Sequence, residues 1–252
     1  MTPGDDVPNP RGGPRDAVVW FLRTDHTAIM FFREAASSAL TVAMVGMLLF
    51  AVSGVWPPLV AVESGSMEPN MERGDLVFVM DEQRFSPDYA YGDTGIVSRQ
   101  EAVGNDYRKF GGYGDVVVYE PGGNGRATPV IHRTHFWVEE GENWYERANP
   151  DYVSADDCGD LRNCPAPHAG FITKGDNEIT NNYYDQARGI SSPVKPAWIR
   201  GTAEYRIPYL GWVRLTVAGS FTPGTTTVEA STNGNSLAAT GNDTDVALSP
   251  VT

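Results

Sequence analysis

The sequence predicts a mainly β domain that is anchored by one N-terminal transmembrane helix. The first observation is an apolar stretch, residues 35–62, that contains no charged side chain. The second is a change of texture after this stretch, where short β-branched and aromatic segments alternate with Gly, Pro, Asp and Asn. Such segments are typical of strands and turns, and no long amphipathic helical pattern interrupts them. Together they indicate a membrane anchor followed by a β domain.

The apolar stretch is long enough to cross a bilayer, whose core of about 30 Å needs about 20 apolar residues in a helix. Trp56 stands where interfacial aromatic side chains are common, and Pro57 and Pro58 are expected to end the helix. A cleaved signal peptide is disfavoured, because the run is long, begins late and lacks a well-placed small-x-small cleavage site. A buried core helix is the other alternative. Residues 18–33 form either an interfacial helix or the early part of the span.

The arginines around the anchor predict its orientation. Arg73 is the only positive side chain in about the first twenty residues after the span, whereas Arg11, Arg15, Arg23 and Arg33 precede it. Because positive charge marks the cytoplasmic side, the N-terminus is expected inside and the β domain outside. The expected boundaries are 1–34 for a cytoplasmic segment, 35–58 for the transmembrane helix, 59–221 for the extracytoplasmic β-rich domain and 222–252 for a flexible tail.

The strands of the β domain are predicted by their residue types. Five segments are expected to be single strands: 76–80, 115–120, 129–138, 143–147 and 170–173. Residues 198–215 are expected to form two more strands around a turn at Pro208. The run 207–221 is apolar apart from Arg214, so it is a weak candidate for a second span but is able to touch the membrane.

The composition excludes some classes of partner. The 252 residues include 19 Lys and Arg against 32 Asp and Glu, a net charge of −13. Nucleic acid is therefore not an expected partner, because phosphate binding needs positive charge. Only three lysines are present, and an acidic, lysine-poor surface fits a halophilic setting. An ordinary acidic protein is the alternative.

The two cysteines, Cys158 and Cys164, lie close together in a loop rich in Gly, Asp and Pro. This spacing suits a local disulfide outside the cell, with free thiols as the alternative. A zinc site would need more ligands nearby than His168. No metal or cofactor is expected.

Three polar clusters contain the residue types of a serine hydrolase. A serine hydroxyl is a weak nucleophile, so it needs a base within hydrogen-bond reach and the base needs an orienting partner. Alone, each cluster is unremarkable, because Ser and Asp are common in turns and a strand histidine is often structural. The clusters are V-E-S-G-S-M-E-P at 62–69, V-I-H-R at 130–133, and T-K-G-D-N at 173–177 with a later Y-Y-D-Q at 183–186.

Taken together, the clusters resemble type I signal peptidases. An S-G-S-M-x-P element beside a membrane anchor is followed by R-G-D, G-D-V-V-x-Y, I-H-R and K-G-D-N, and then by a later Asp. The resemblance covers residues 35–215. Bacterial members carry Lys before the Arg of I-H-R and use a Ser-Lys dyad, whereas this chain has His132. The chain is therefore similar to the archaeal and endoplasmic-reticulum branch of the family.

The resemblance implies Ser66 as the nucleophile and His132 as the base. Asp185 matches the position of the orienting acid. Asp176 stays open as the alternative, because the segment between the two aspartates is a few residues longer than in most relatives. His135 lies three residues after His132, and this odd spacing puts it on the opposite face of a strand.

The substrate side of the site is also implied by the resemblance. Ser64 matches the oxyanion position, although it can equally serve only as a turn cap. A substrate peptide would pair as a strand beside residues 60–64, with Val60 and Val62 at the pockets for small side chains. The expected partners are signal peptides of secreted preproteins, membrane lipid and the secretion translocon.

The implied function is that of a membrane-bound serine endopeptidase, signal peptidase I. It would cleave signal peptides from preproteins after small residues, at the outer face of the cell membrane. One alternative is a self-cleaving protease like the LexA-type repressors, which use a Ser-Lys pair. Lys174 is the only lysine near a motif, and it is not at the base position. The other alternative is a membrane-tethered β domain that binds partners without activity.

Overall fold

The structure is a computed structural model, and it describes residues 11–221. The flexible tail expected at 222–252 and the first ten residues of the cytoplasmic segment lie outside the described residues.

The described chain contains one large sheet. Its strands and those of a separate two-stranded pair are β1 Leu59–Ala61, β2 Leu76–Met80, β3 Arg108–Lys109, β4 Gly112–Tyr113, β5 Val116–Tyr119, β6 Val130–Val138, β7 Gly170–Lys174 and β8 Ile199–Ile207. The large sheet has the order β1-β2-β8-β5-β6-β7, and all its neighbours are antiparallel. β3 pairs with β4. The predicted mainly β architecture is confirmed, and β1 lies at an edge of the sheet.

The described residues also form five α-helices. They are α1 Pro14–Arg23, α2 Thr27–Ser53, α3 Arg99–Gly104, α4 Asp185–Arg188 and α5 Gly211–Phe221. Within the described residues, α2 is the helix that is long and apolar enough to cross a membrane. Its 27 residues extend about 40 Å at 1.5 Å per residue.

The end of α2 differs from the expectation that the prolines stop it. The helix ends at Ser53, because Gly54 adopts a left-handed conformation with φ +82° and donates its N–H to the Phe50 carbonyl. Glycine takes this C-terminal conformation without the steric cost of a Cβ atom. The chain therefore leaves the helix several residues before Pro57.

The C-terminal end of α2 is bound to the β domain. The Ser53 hydroxyl donates to the Val79 carbonyl at 2.7 Å, and the Asp81 N–H donates to the Ser53 carbonyl at 2.9 Å. Arg84 donates to the last free carbonyls of the helix, those of Ala51 and Val52, at 2.7 Å each. These contacts satisfy carbonyls that have no partner inside the helix, and they fix the sheet directly beneath the proposed span.

One predicted strand, at 143–147, is wrong. Trp144–Arg147 forms a 3-10 helix instead. The Trp144 side chain is fully buried, and its indole N–H donates to the Asn163 carbonyl at 2.7 Å. A distant loop therefore decides this local conformation, which a residue-type pattern cannot detect.

The prediction of two strands at 198–215 is also wrong in its second half. β8 ends at Ile207, and α5 begins at Gly211 after a turn in which Tyr209 has φ +62°. A Cβ atom on Gly211 would lie 2.4 Å from the Asp75 carbonyl oxygen, so the start of α5 packs against the chain just before β2. After this turn α5 packs beside β1 and β2 instead of forming another strand.

The core between β2, β5 and β8 reaches the turn that carries Ser66. Val77, Val79, Val116 and Val118 pack together there, and Met67 joins them with 1 % of its surface exposed. Burying a methionine side chain contributes about 2 kcal/mol, so Met67 holds the neighbouring Ser66 in place.

The expected local disulfide is present. Cys158 and Cys164 are bridged, with their Cα atoms 5.1 Å apart. This separation lies in the ordinary range for disulfides.

Candidate active site

Ser66 lies in a tight turn between β1 and β2. The Met67 carbonyl accepts hydrogen bonds from the N–H groups of Asn70 and Met71, which closes the turn behind the serine. The hydroxyl oxygens of Ser66 and Ser64 are 3.2 Å apart, within hydrogen-bond distance. The turn therefore presents two hydroxyl groups side by side.

The third sequence cluster packs directly on the Ser66 turn. The Asn177 N–H donates to the Ser66 carbonyl at 2.9 Å, and its side-chain amide donates to the Gly65 carbonyl at 2.8 Å. A Cβ atom on Gly175 would lie 2.4 Å from the Ser66 carbonyl oxygen, so this position needs glycine. The K-G-D-N segment thus supports the turn through its backbone.

His132 lies on β6, where it pairs in register with Val117 of β5. Only 3 % of its surface is exposed. Its Nδ1 atom is 2.7 Å from Oδ2 of Asp185, the first residue of α4. The sheet therefore fixes the imidazole and a short helix supplies its carboxylate partner.

Asp185 is fully buried and is fixed by two further donors that the sequence analysis missed. Its Oδ2 accepts hydrogen bonds from the Tyr119 hydroxyl at 2.8 Å and from the Thr173 hydroxyl at 2.7 Å. Burial, and then the nearby carboxylate, raise the pKa of Tyr119 well above its usual range, so this group stays a donor. Within residues 11–221, Oδ1 of Asp185 is a buried atom that accepts no hydrogen bond.

Asp176, the alternative acid, has different partners. Its carboxylate accepts from Arg133 Nε at 2.8 Å and from the Asn70 amide at 2.9 Å. Arg133 also donates to the carbonyls of Lys109 and Gly114. The structure therefore brings Asp185 to His132 and Asp176 to the neighbouring arginine.

The other ring nitrogen of His132 has a partner that no motif indicated. The side-chain amide nitrogen of Asn181 lies 3.3 Å from Nε2. Asn181 belongs to the segment 177–184 between the two aspartates. The only unusual feature of that segment in the sequence was its length. Tyr119 and Thr173 did carry a signal, because they belong to the motifs G-D-V-V-x-Y and T-K-G-D-N.

Ser66 and His132 face the same cavity, which has a volume of about 710 Å³. Its lining is mostly apolar and includes the two valines proposed to flank the substrate. The residues that line it include Val60, Val62, Ser64, Ser66, His132 and Asn181. The cavity thus joins the candidate nucleophile, the candidate base and the edge strand β1.

His135 and Lys174 are occupied elsewhere. The His135 ring packs edge-on against Tyr152 and Tyr184, and burial followed by the charge of Arg99 lowers its pKa well below the usual range. Lys174 donates to the Gly175 carbonyl at 2.9 Å, with its nitrogen 4.6 Å from the centre of the Tyr152 ring. Burial lowers the pKa of Lys174, but these contacts do not direct it to the serine.

Metal chemistry has no candidate site in the part of the chain that the structure describes. Among residues 11–221, no group of three or more His, Cys, Asp or Glu side chains is arranged to hold a metal ion. A hydroxyl, an imidazole and a buried carboxylate are the group types that nucleophilic acyl transfer with a general base requires.

Comparison with known proteins finds similarity to signal peptidase catalytic subunits. No protein-family model matches the chain. The signal peptidase complex catalytic subunit sec11 of Aspergillus oryzae is 28 % identical over 170 residues, 68 % of this chain and 69 % of the relative. The corresponding subunit of Arthroderma otae is 29 % identical over 64 % of this chain and 67 % of the relative, and that of Candida dubliniensis 23 % over 78 % and 86 %. These similarities confirm the resemblance to signal peptidases predicted from the motifs, and with it the prediction of an enzyme of this class.

Proposed function

From this relationship to signal peptidase catalytic subunits, we propose that the chain is a membrane-bound serine endopeptidase that removes signal peptides from secreted preproteins. Ser66 is the nucleophile, His132 the general base and Asp185 the orienting acid. The observation that carries the proposal is the 2.7 Å contact between His132 Nδ1 and buried Asp185, beside a cavity that also contains Ser66. Asp176 is assigned to support of the fold, since its carboxylate binds Arg133.

The proposed reaction uses both ring nitrogens of His132. Nε2 takes the proton of the Ser66 hydroxyl as its oxygen attacks the scissile carbonyl, and later returns a proton to the leaving amine. Nδ1 keeps its proton throughout and donates a hydrogen bond to Asp185. The imidazolium that forms is stabilised by that carboxylate, which Tyr119 and Thr173 hold in position.

The oxyanion of the tetrahedral intermediate would be bound at the Ser66 turn. The Ser64 hydroxyl is 3.2 Å from the Ser66 hydroxyl, close to where a carbonyl oxygen would lie during attack. Together with the Ser66 backbone N–H it forms the proposed pair of donors. Loss of one such donor costs about 3 kcal/mol in other serine hydrolases.

The substrate peptide would bind along β1. The Pro58 carbonyl accepts a hydrogen bond from the Val79 N–H, and the Val62 N–H donates to the Asp75 carbonyl. Because the backbone groups of successive residues in a strand point to opposite sides, those of Leu59 and Ala61 point away from β2. An extended peptide can pair with that free edge, while Val60 and Val62 line the cavity below it. Arg214 binds the Leu59 carbonyl at 2.7 Å and so limits the free edge at one end.

The proposed location is the cell membrane, with the β domain on the outer side. The arginine bias before α2 favours this orientation, and a disulfide is stable in an oxidising compartment. Trp56, three residues after α2, and Trp212 of α5 are both exposed, and tryptophan favours the membrane–water interface. Membrane lipid and the secretion translocon, from which preproteins emerge, are the proposed partners there.

The test is cleavage of a preprotein by the full-length protein in proteoliposomes. Ser66→Ala is expected to reduce cleavage to background, because no other side chain would form the acyl-enzyme. The matched control is Ser154→Ala, at an exposed serine outside the cavity, which is expected to cleave at the wild-type rate. Wild-type turnover by a folded Ser66→Ala protein would refute the proposed function.

A further inference from the structure

Asn181 links the candidate base to an arginine on α4. Its amide nitrogen is 3.3 Å from Nε2 of His132, and its amide oxygen accepts a hydrogen bond from Arg188 at 2.7 Å. The Asn181 side chain is almost completely buried, with 7 % of the residue exposed. Because the amide is buried between these two groups, its orientation determines which of its ends faces His132.

The arginine decides which end of the amide faces the base. A guanidinium only donates hydrogen bonds, so the atom beside Arg188 is the Asn181 oxygen and the atom beside His132 is its NH2 group. An amide NH2 group also only donates, so Nε2 of His132 must be the acceptor. The ring proton then lies on Nδ1, where it meets Asp185 at 2.7 Å.

Backbone contacts keep the amide at this place. The Asn181 N–H donates to the Asn177 carbonyl at 2.9 Å, and Arg188 also donates to the Thr180 carbonyl at 2.9 Å. A Cβ atom on Gly175 would lie 2.6 Å from the Asn181 amide nitrogen, which shows how closely the two segments pack. The amide is therefore held between Gly175 and the helix that carries Asp185.

We propose that Asn181 is a positioning residue that reserves the Nε2 lone pair of His132 in the free enzyme. It holds the ring proton on Nδ1 until the substrate arrives. The bond of 3.3 Å is long and weak enough to be exchanged, and the Ser66 hydroxyl is bonded to Ser64 in the meantime. Substrate binding then replaces the hydrogen bond from Asn181 to Nε2 with one from the Ser66 hydroxyl to Nε2. This inference rests on the proposed function.

Among the described residues around His132, Asn181 bonds with Nε2, and the other polar groups bond elsewhere. On the Nδ1 side, Asp185 is the charged partner, and Tyr119 and Thr173 reach that carboxylate from β5 and β7. On the Nε2 side, Arg188 lies behind the amide. Lys174 of β7, which the charge of Asp185 also reaches, points its nitrogen at the Gly175 carbonyl.

The test is Asn181→Asp, which keeps the shape of the side chain and reverses the polarity of the hydrogen bond. The new carboxylate, paired with Arg188, accepts a hydrogen bond from a protonated Nε2 and so favours the protonated ring. Because only the neutral ring can act as base, the rising limb of kcat/KM against pH is expected to move about one unit to higher pH. On the rising limb that means an about tenfold loss of kcat/KM, whereas kcat/KM on the alkaline plateau falls much less.

The matched control is Asn182→Asp, the same change at the next residue, which is exposed. It adds the same charge without reaching Nε2, so its pH profile should stay within about 0.3 units of wild type at moderate salt. A second variant, Arg188→Leu, leaves the amide free to rotate and is expected to move the rising limb in the same direction by a smaller amount. It provides the readout if the Asn181→Asp protein does not fold.

The outcomes separate this inference from the proposed function. An active Asn181→Asp enzyme with an unmoved rising limb would overturn the role of Asn181, and so would an unmoved limb in Arg188→Leu if that variant alone folds. Both results leave Ser66-dependent cleavage intact. Cleavage that survives Ser66→Ala would instead overturn the proposed function.

Discussion

Arg133, the residue after the candidate base His132, forms a bidentate ion pair with Asp176. Nε of Arg133 donates to Oδ1 at 2.8 Å, and a second guanidinium nitrogen donates to Oδ2 at 2.5 Å. The same Oδ2 accepts from Asn70, which closes the Ser66 turn. Asp176 therefore joins β6 to the Ser66 turn, whereas Asp185 contacts His132.

Removing the Asp176 charge is expected to affect stability more than chemistry. Asp176→Asn leaves the guanidinium of Arg133, which is 1 % exposed, without a counter-charge. A cation left unpaired in this way costs about 3 kcal/mol, which corresponds to a fall in Tm of about 6–12 °C. Thermal unfolding checks the first part, and kcat at a temperature where the variant is folded should drop by less than about a hundredfold.

Removing the Asp185 charge is expected to affect chemistry more than stability. Asp185→Asn offers His132 a group that no longer stabilises the imidazolium and that can favour the wrong tautomer. A loss of about three to four orders of magnitude in kcat is expected, as for the orienting acid of other triads. The comparison with Asp176→Asn is the measurement, and a larger kcat loss in Asp176→Asn would reverse the two assignments.

Asp115 is expected to make the fold less stable as pH rises from about 4 to 6. Burial raises the pKa of Asp115 to about 6, despite hydrogen bonds from the Val97 N–H and the Tyr107 hydroxyl. In this window the folded state keeps a proton that the unfolded state has lost, so the free energy of unfolding falls with pH, by roughly 3 kcal/mol in all.

Asp115→Asn should remove this dependence, because the amide oxygen can still accept from Val97 and the Tyr107 hydroxyl can accept from the amide. The measurement is Tm against pH for the wild type and the variant in the same detergent. Parallel curves for the two proteins between pH 4 and 6 would contradict the assignment to Asp115. Carboxylates common to both proteins contribute equally to the two curves and cancel in the difference.

The orientation of the chain is testable in intact cells. Protease added outside is expected to cut the region after Pro58 and to spare the N-terminal segment, because the arginines lie before the span. Epitope tags at the two ends, followed by immunoblotting, report which part is reached. Permeabilised cells are the control in which both ends become accessible. Protection of the β domain in intact cells would reverse the orientation and remove the proposed function.

Much of the fold was predictable because its signals are local. An uncharged run of apolar residues is sufficient to indicate α2, since only its length and composition matter for crossing a bilayer. Runs of β-branched residues likewise predicted β2, β5, β6 and β7. The 3-10 helix at Trp144 and helix α5 were not predicted, because packing against Asn163 and Asp75 decides the local conformation there.

The sequence by itself determined which residue types are available to the candidate site: a serine in a turn after the anchor, a histidine on a strand and two aspartates near one glycine turn. It could not assign the aspartates. His132 and Asp185 are 53 positions apart, and Asn181 meets His132 across 49. Only the tertiary structure decided that Asp185 faces the imidazole, that Asp176 faces Arg133 and that an amide faces Nε2. The physical reason is that hydrogen bonds depend on distances of about 3 Å, which sheet pairing and loop packing determine and spacing along the chain does not.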